Sequence, residues 1–335
     1  MRRLAVLSLL LALSFCAKRE ANAPRDTPSA GRTVTIAVVP QGTTHEFWKS
    51  IHAGAVKAAR DATARGLTVN LIWKGPVRED DREQQVQVVE GFLTQGVNGI
   101  VLAPFDKNAL VRPVEEAARA GIPTVVVDSG LESPAPISFV ASDNHHGGEL
   151  AADEMGRLLG GKGKVLLLRY QEGVFSTEQR EKGFVDRIKA AYPGIELISS
   201  NQFAGATRDT AKSSMENLLN RYGDQLDGIF TPNESSTAGS LLALEDAGKA
   251  GKIRFIGFDT SDIFVEAMRD GKLQGVVVQN PFAMGELGVN ALLDHLAGKP
   301  VAKRVDTGVT LITPATLDAP RSQTLLHPPL EQYLK

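Results

Sequence analysis

The stretch after residue 39 carries more chemistry than a turn requires. An apolar run, Val34, Ile36, Ala37, Val38 and Val39, is broken by Pro40-Gln41-Gly42-Thr43-Thr44, and His45, Glu46, Phe47 and Trp48 follow at once. Neighbours on a helix point about 100° apart, so Phe47 and Trp48 cannot both face one core, and at least one must face a cleft or solvent. His45 has a ring nitrogen to offer an oxygen. Two carboxylates, Asp128 and Asp259, stand where other apolar runs end. As a pair they suggest glycoside hydrolysis, but nothing places a raised-pKa acid or a third orienting group beside them. His145-His146 has no third ligand at helical spacing and reads as a helix start capped by Asp143 or Asn144, so no metal site is expected. Gly156-x-x-x-x-Gly161-Lys162 imitates a phosphate loop, yet Gly163 stands where Ser or Thr should bind magnesium. It also lies after a helix and before a strand, the reverse of the required order. No cofactor and no catalytic residue is expected.

The elements that must hold these residues alternate almost to the end of the chain. The run at 34–39 reads as a strand buried on both faces, and Phe47, Ile51, Ala55, Ala58 and Ala59 recur at helical spacing after it. Further strands are expected at 67–73, 99–103, 122–127, 138–141, 164–169, 195–199, 228–231, 254–258, 274–279 and 308–312. Helices are expected at 79–95, 108–120, 146–159, 177–191, 208–222, 235–247, 261–270 and 281–296, several closed by glycine, with a Pro-rich tail last. Repeated strand–helix units with buried strands mean parallel sheets with helices on both faces. The units are too many for one sheet, and two α/β lobes joined near Ala141-Ser142 fit better. The candidate residues then fall at the carboxyl ends of strands, where ligands bind in open α/β sheets.

The chain has 335 residues, 42% hydrophobic, 23% charged and 6% aromatic, with a net charge of −2, values of an ordinary globular protein. That charge argues against nucleic acid as the main partner. Met1-Arg2-Arg3 and the apolar run 4–15 read as an export signal, since about 12 apolar residues are too few to span a bilayer. The sole cysteine, Cys16, follows Leu13-Ser14-Phe15, which resembles a bacterial lipoprotein box apart from Phe15, where a small residue is usual. Cleavage after Ala21-Asn22-Ala23 is the alternative, with Pro24 an unfavourable neighbour. Residues 17–32 read as a flexible tether. The export signal makes the sequon Asn233-Glu234-Ser235 irrelevant.

From Thr33 to about Thr313 the chain resembles the periplasmic sugar-binding proteins of the ribose-binding type, a type I periplasmic binding protein family. Carrying the resemblance in order are IAVV with its loop and FW, GIVLAP, GIPTVVVDS, VASDNHHGG, GIFTPNESSTAGSLLAL, FIGFDTSD and GKLQGVVVQNPFAMG. It implies two Rossmann-like lobes joined by a three-segment hinge: 33–141 with 280–308, and 142–279 with 309–320, followed by a tail at 321–335. It implies a sugar or sugar-like ligand in the cleft between them, hinge closure, and delivery to an ABC permease by a monomeric protein of the periplasm or cell envelope, lipid-anchored if Cys16 is modified. The site it implies comprises Phe47, Trp48, Asp128, Asn233, Asp259 and Gln279, and His45, Ser129 and Arg180 join them as candidates from their own chemistry and place in the chain. Carboxylates and amides suit paired hydroxyls, and rings suit the apolar sugar face.

Departures bear on the substrate. Ser129 replaces an arginine, Ala103 an asparagine and Ala206 an aromatic, while a second clamp arginine falls at Glu178, with Arg180 nearby. The segment Trp73-Lys74-Gly75-Pro76, with Glu79, Asp80 and Gln84-Gln85 after it, is more similar to the autoinducer-binding branch, and Lys74 is a candidate donor. Presentation of the ligand to a membrane sensor is therefore the rival to transport. A sugar-responsive repressor would need a helix-turn-helix where this chain has its signal.

Overall fold

A computed structural model describes residues 33–335; the proposed signal, Cys16 and tether lie outside them. The first sheet is built from β1 (Thr33–Val39), β2 (Thr68–Trp73), β3 (Gly99–Leu102), β4 (Thr124–Val127) and β5 (Ser138–Ala141). The helices between them are α1 (Glu46–Ala64), α2 (Arg82–Gln95) and α3 (Val111–Arg119). The second sheet follows with α4 (Asn144–Leu158), β6 (Lys162–Arg169), α5 (Phe175–Ala191), β7 (Gly194–Phe203), α6 (Arg208–Tyr222) and β8 (Gly228–Phe230). It continues with α7 (Glu234–Asp246), β9 (Arg254–Phe258), α8 (Asp262–Arg269) and β10 (Gly275–Gln279). The chain then returns through α9 (Pro281–Leu296) and β11 (Arg304–Asp306) to the first sheet, and crosses once more into β12 (Val309–Ile312).

The sheets are six-stranded, ordered β11-β5-β4-β3-β1-β2 and β12-β10-β9-β8-β6-β7. All pairings are parallel except β10 with β12. Strands β3, β4, β8 and β10 are buried along their whole length, as their unbroken apolar runs require when helices cover both faces. Each lobe has a core on either side of its sheet.

Two helix pairs pack through glycine. A Cβ on Gly54 in α1 would stand 1.9 Å from the Phe282 carbonyl oxygen, and one on Gly285 in α9 would stand 1.9 Å from that of Ile51. Gly148 in α4 and Gly183 in α5 meet backbone carbonyls at 2.0 Å in the same way. The pairs touch backbone to backbone, so each lobe holds its helices in a fixed register.

Several elements differ from expectation for local reasons. Helix α2 begins at Arg82 rather than 79, because the Asp81 carboxylate caps it by accepting from Gln84 N at 2.9 Å; Glu79 is left in the loop. Helix α3 begins at Val111, since Asp106 accepts from Asn108 N and Ala109 N and holds that segment as a turn. Strand β7 runs to Phe203 with shifts in its register on β6. The three-residue β11 is too short for periodicity to show. The last segment folds into α10 (Pro320–Leu326) and α11 (Leu330–Tyr333). Leu317 and Leu326 enter the second-lobe core, while the Gln332 and Tyr333 carbonyls accept from Arg60 of α1 and the Tyr333 ring lies on Phe282.

Gly54→Ala should lower stability by about 1–3 kcal/mol through overpacking. Gly91→Ala, whose added Cβ meets nothing within 4 Å in α2, should instead raise stability by about 0.5–1 kcal/mol. Denaturant midpoints of the two variants check the contrast.

Candidate ligand-binding cleft

The loops at the carboxyl ends of the strands of both sheets meet over one cavity. It is small, about 40 Å³, and is walled by Gln41, His45, Phe47, Trp48, Glu79, Asp128, Tyr170, Val174, Ser176, Thr177, Arg180, Asn233, Glu234, Ser235, Asp259 and Gln279. Eight of the nine residues singled out in the sequence line it: His45, Phe47, Trp48, Asp128, Arg180, Asn233, Asp259 and Gln279. Ser129 does not. Its hydroxyl lies behind the wall and accepts from Ser176 N of the other lobe at 3.3 Å.

Asp128 and Asp259 occupy equivalent places, immediately after β4 and β9. They are the only non-glycine residues with positive φ among the described residues, at 63° and 68°. Such backbone costs about 1–3 kcal/mol at a non-glycine residue and persists only where surroundings impose it. Here the Asp128 N–H bonds the Val140 carbonyl and the Asp259 N–H that of Val277, so each neighbouring strand holds the turn. The left-handed turn leaves each carboxylate lining the cavity.

The hydrogen bonds of these groups are incomplete. The Asp128 Oδ2 atom accepts only a long 3.4 Å bond from Gln41 Nε2. Asp259 accepts from Gln279 Nε2 at 2.8 Å and from Glu234 N at 3.1 Å. The Gln279 amide oxygen is buried and has no partner. Buried acceptors without donors are rare, and in a cavity wall they mark the place of a missing donor. Burial raises both carboxyls, that of Asp128 to about 7, with the Arg180 charge opposing.

Arg180 is wholly enclosed. Its Nε donates to Asn144 Oδ1 at 2.8 Å, its Nη1 to the Pro232 carbonyl at 2.9 Å, and its guanidinium lies 4.0 Å over the Phe258 ring. Nη1 is 3.9 Å from Asp259 Oδ2. A cationic group is thus present in the cavity two residues beyond the position expected from the motif, and Glu178 serves elsewhere, paired with Lys107 at 2.5 Å. Asn233 caps α7 through a bond from Ser236 N, so its capping role and its place in the wall coexist. Phe47 and Trp48 meet edge to face at 4.9 Å and both reach the cavity.

Direct contacts across the cleft draw the lobes together. His45 Nε2 lies 2.7 Å from Glu234 Oε2, the Tyr170 hydroxyl donates to Glu79 Oε2 at 3.2 Å, and Lys107 N donates to the Gly173 carbonyl at 3.0 Å. Phe105 of the first lobe packs on Tyr170 and Val174 of the second. Ala206 packs against this cluster, so Tyr170 supplies a ring close to where the expected aromatic is missing. Lys74 is exposed and outside the wall. Ala103 is outside it too; its carbonyl accepts from Gln85 Nε2 at 2.8 Å and its N–H donates to the Val39 carbonyl at 2.9 Å. His145 and His146 form surface pairs with Glu149, and the described residues hold no cluster of three groups fit for a metal.

Sequence reasoning missed Gln41, Tyr170, Val174, Ser176, Thr177, Glu234 and Ser235, and took Glu79 for the start of a helix. Gln41 and Tyr170 follow β1 and β6 closely, so applying the strand-end rule to every strand would have found both. Glu79 stands out in the sequence only as part of the segment after Trp73, with no role assigned.

Two lobes closed over an acceptor-rich cavity define a cleft-closing binding protein. The chain belongs to the periplasmic binding protein family, whose domain, described as the periplasmic binding protein domain, matches residues 36–300. It is 31% identical to the ribose import binding protein RbsB of Bacillus subtilis over 279 residues, which are 83% of this chain and 87% of that protein. A carbohydrate transporter solute-binding protein from Agrobacterium radiobacter, solved with D-arabinose, superposes with a TM-score of 0.82 at 32% identity, covering 88% of this chain and 99% of the other. An ABC transporter solute-binding protein from Agrobacterium vitis with bound D-fucose gives 0.81 at 35%, covering 88% and 100%. No helix among the described residues is long and apolar enough to cross a membrane.

The cleft should titrate. Burial alone would lower His45, but its bond to Glu234 and the charges of Glu234, Glu79 and Asp259 raise it from 6.5 to about 9. A raised group stabilises the fold fully below its unfolded value and loses that contribution as pH rises through the folded one. For His45 this window runs from about 6.5 to 9, and for Asp128 from 3.8 to about 7. Melting temperature without ligand should therefore fall between pH 7 and 9, and His45→Gln should flatten that fall; an unchanged slope would remove His45 as its source.

Proposed function

We propose that this chain is the solute-binding subunit of an ABC-type importer, taking a sugar or sugar-like polyol into the cleft and delivering it to a membrane permease. The observation that carries this reading is the set of under-bonded buried acceptors, Asp128, Asp259 and the Gln279 amide oxygen, contributed by both lobes to one cavity. Clustered hydroxyls are the donors such acceptors lack, and Phe47 and Trp48 offer a surface for the apolar face of a sugar ring. The similarity to a ribose import binding protein and to the arabinose- and fucose-bound structures supports the same class.

Opening and closing would use the three crossings, after β5, after β10 and between β11 and β12. Two of these are tied side by side: Ser142 Oγ donates to the Gly308 carbonyl at 2.8 Å, and Arg304 donates to the Ser142 carbonyl at 2.9 Å. The lobes would be 33–141 with 280–308 and 142–279 with 309–320. Cys16 at the end of the apolar run 4–15, after Leu13-Ser14, supports a lipid anchor at Cys16 in the cell envelope, with Phe15 the one departure from the usual pattern.

Titration calorimetry against pentoses, hexoses, polyols, inositols and furanosyl autoinducers tests the ligand class. Asp259→Ala should weaken the ligand found by at least tenfold, about 1.4 kcal/mol, because hydroxyls lose their acceptor; unchanged affinity would remove Asp259 from the site. Cys16→Ser should release the protein from membranes, and continued sedimentation with them would refute the anchor.

A further inference from the structure

We propose that Glu79 is a specificity-determining residue of this cavity, completing an excess of carboxylates that admits neutral polyols and excludes their acids. The inference rests on the sugar reading above. The wall holds four carboxylates, Glu79, Asp128, Asp259 and Glu234, against two cations, His45 and Arg180. His45 is committed to Glu234, which also takes Arg208 from outside the wall. Arg180 is committed to Asn144, the Pro232 carbonyl and Asp259. Among the described residues no lysine, arginine or histidine forms an ion pair with Glu79.

Glu79 is built into the cleft rather than hung over it. Its Oε1 accepts from Trp48 Nε1 at 2.6 Å within its own lobe, and its Oε2 accepts from the Tyr170 hydroxyl of the other lobe at 3.2 Å. A Cβ on Gly42 would stand 2.9 Å from its Cγ, so the loop after β1 closes on it only because residue 42 is glycine. The two neutral donors orient the carboxylate without cancelling its charge. They also occupy the indole N–H and the phenol O–H, so these rings offer a ligand their faces and edges. The buried, unpartnered Gln279 oxygen is a further acceptor in the same wall. A ligand must therefore bring donors. A sugar acid would instead bring one more carboxylate into a site where burial already pushes Glu79, Asp128 and Asp259 upward. It would have to meet like charge or take up a proton, and either route weakens it.

The test is calorimetry on the purified chain with matched pairs: ribose and ribonate, arabinose and arabinonate, galactose and galacturonate, glucose and glucuronate. In any pair whose neutral member binds, the acid should bind at least about 100-fold more weakly, a like-charge cost in an enclosed site. Glu79→Gln, which keeps an oxygen for the Trp48 N–H, should narrow that ratio about tenfold, whereas Glu90→Gln on the exposed face of α2 should leave it alone. An acid that binds as tightly as its neutral parent overturns the proposal without needing a variant, as does a ratio unmoved in a folded Glu79→Gln. If neither member of any pair binds, the sugar reading itself fails, and the inference falls with it.

Discussion

The burial of the Asp128 and Asp259 carboxylates at the ends of two central strands is the constraint around which this molecule is arranged. Each sits in a left-handed turn that an aspartate adopts at a cost, and each is enclosed with fewer donors than its oxygens can accept. Buried charge without full compensation is costly, so rigid surroundings must impose it. The parallel sheets do so. The Asp128 and Asp259 N–H groups donate to carbonyls of the neighbouring strands, Val140 of β5 and Val277 of β10. Helices locked through Gly54, Gly285, Gly148 and Gly183 hold the sheets themselves.

The cleft is spanned by both apolar and polar contacts. Phe105 packs with Tyr170 and Val174, the Phe139 and Phe175 rings meet edge to face at 6.1 Å, and hydrogen bonds and ion pairs join the lobes beside them. Two of the three crossing segments are bonded to one another, at Ser142 with Gly308 and Arg304. The C-terminal helices add a further tie between the lobes, through Leu326 on one and Tyr333 on the other.

The same arrangement accounts for the character of the site. Groups of the two lobes meet in the cavity wall: Glu234 lies beside His45, and Glu79 accepts from the Tyr170 hydroxyl. The character of the cavity is thus set jointly by both lobes.

Much of this was legible in the chain alone. Unbroken apolar runs between helical patterns determine doubly covered parallel sheets, because a strand buried on both faces has no polar side to show. Strand ends then locate Asp128, Asp259 and Gln279, since ligands gather at that edge. What depends on which residues meet across the cleft was not legible. Ser129 follows Asp128 directly, yet the left-handed turn sends it behind the wall. Arg180, one helical half-turn past Glu178, lies on the face of α5 that reaches the cavity, while Glu178 bonds Lys107. Glu79 became part of the site only because Asp81, not residue 79, caps α2, and because Trp48 and Tyr170 converge on it from two lobes. Local periodicity reports one element's burial; the direction of a turn and the meeting of two lobes are properties of the packed chain, and those decided the chemistry of the cleft.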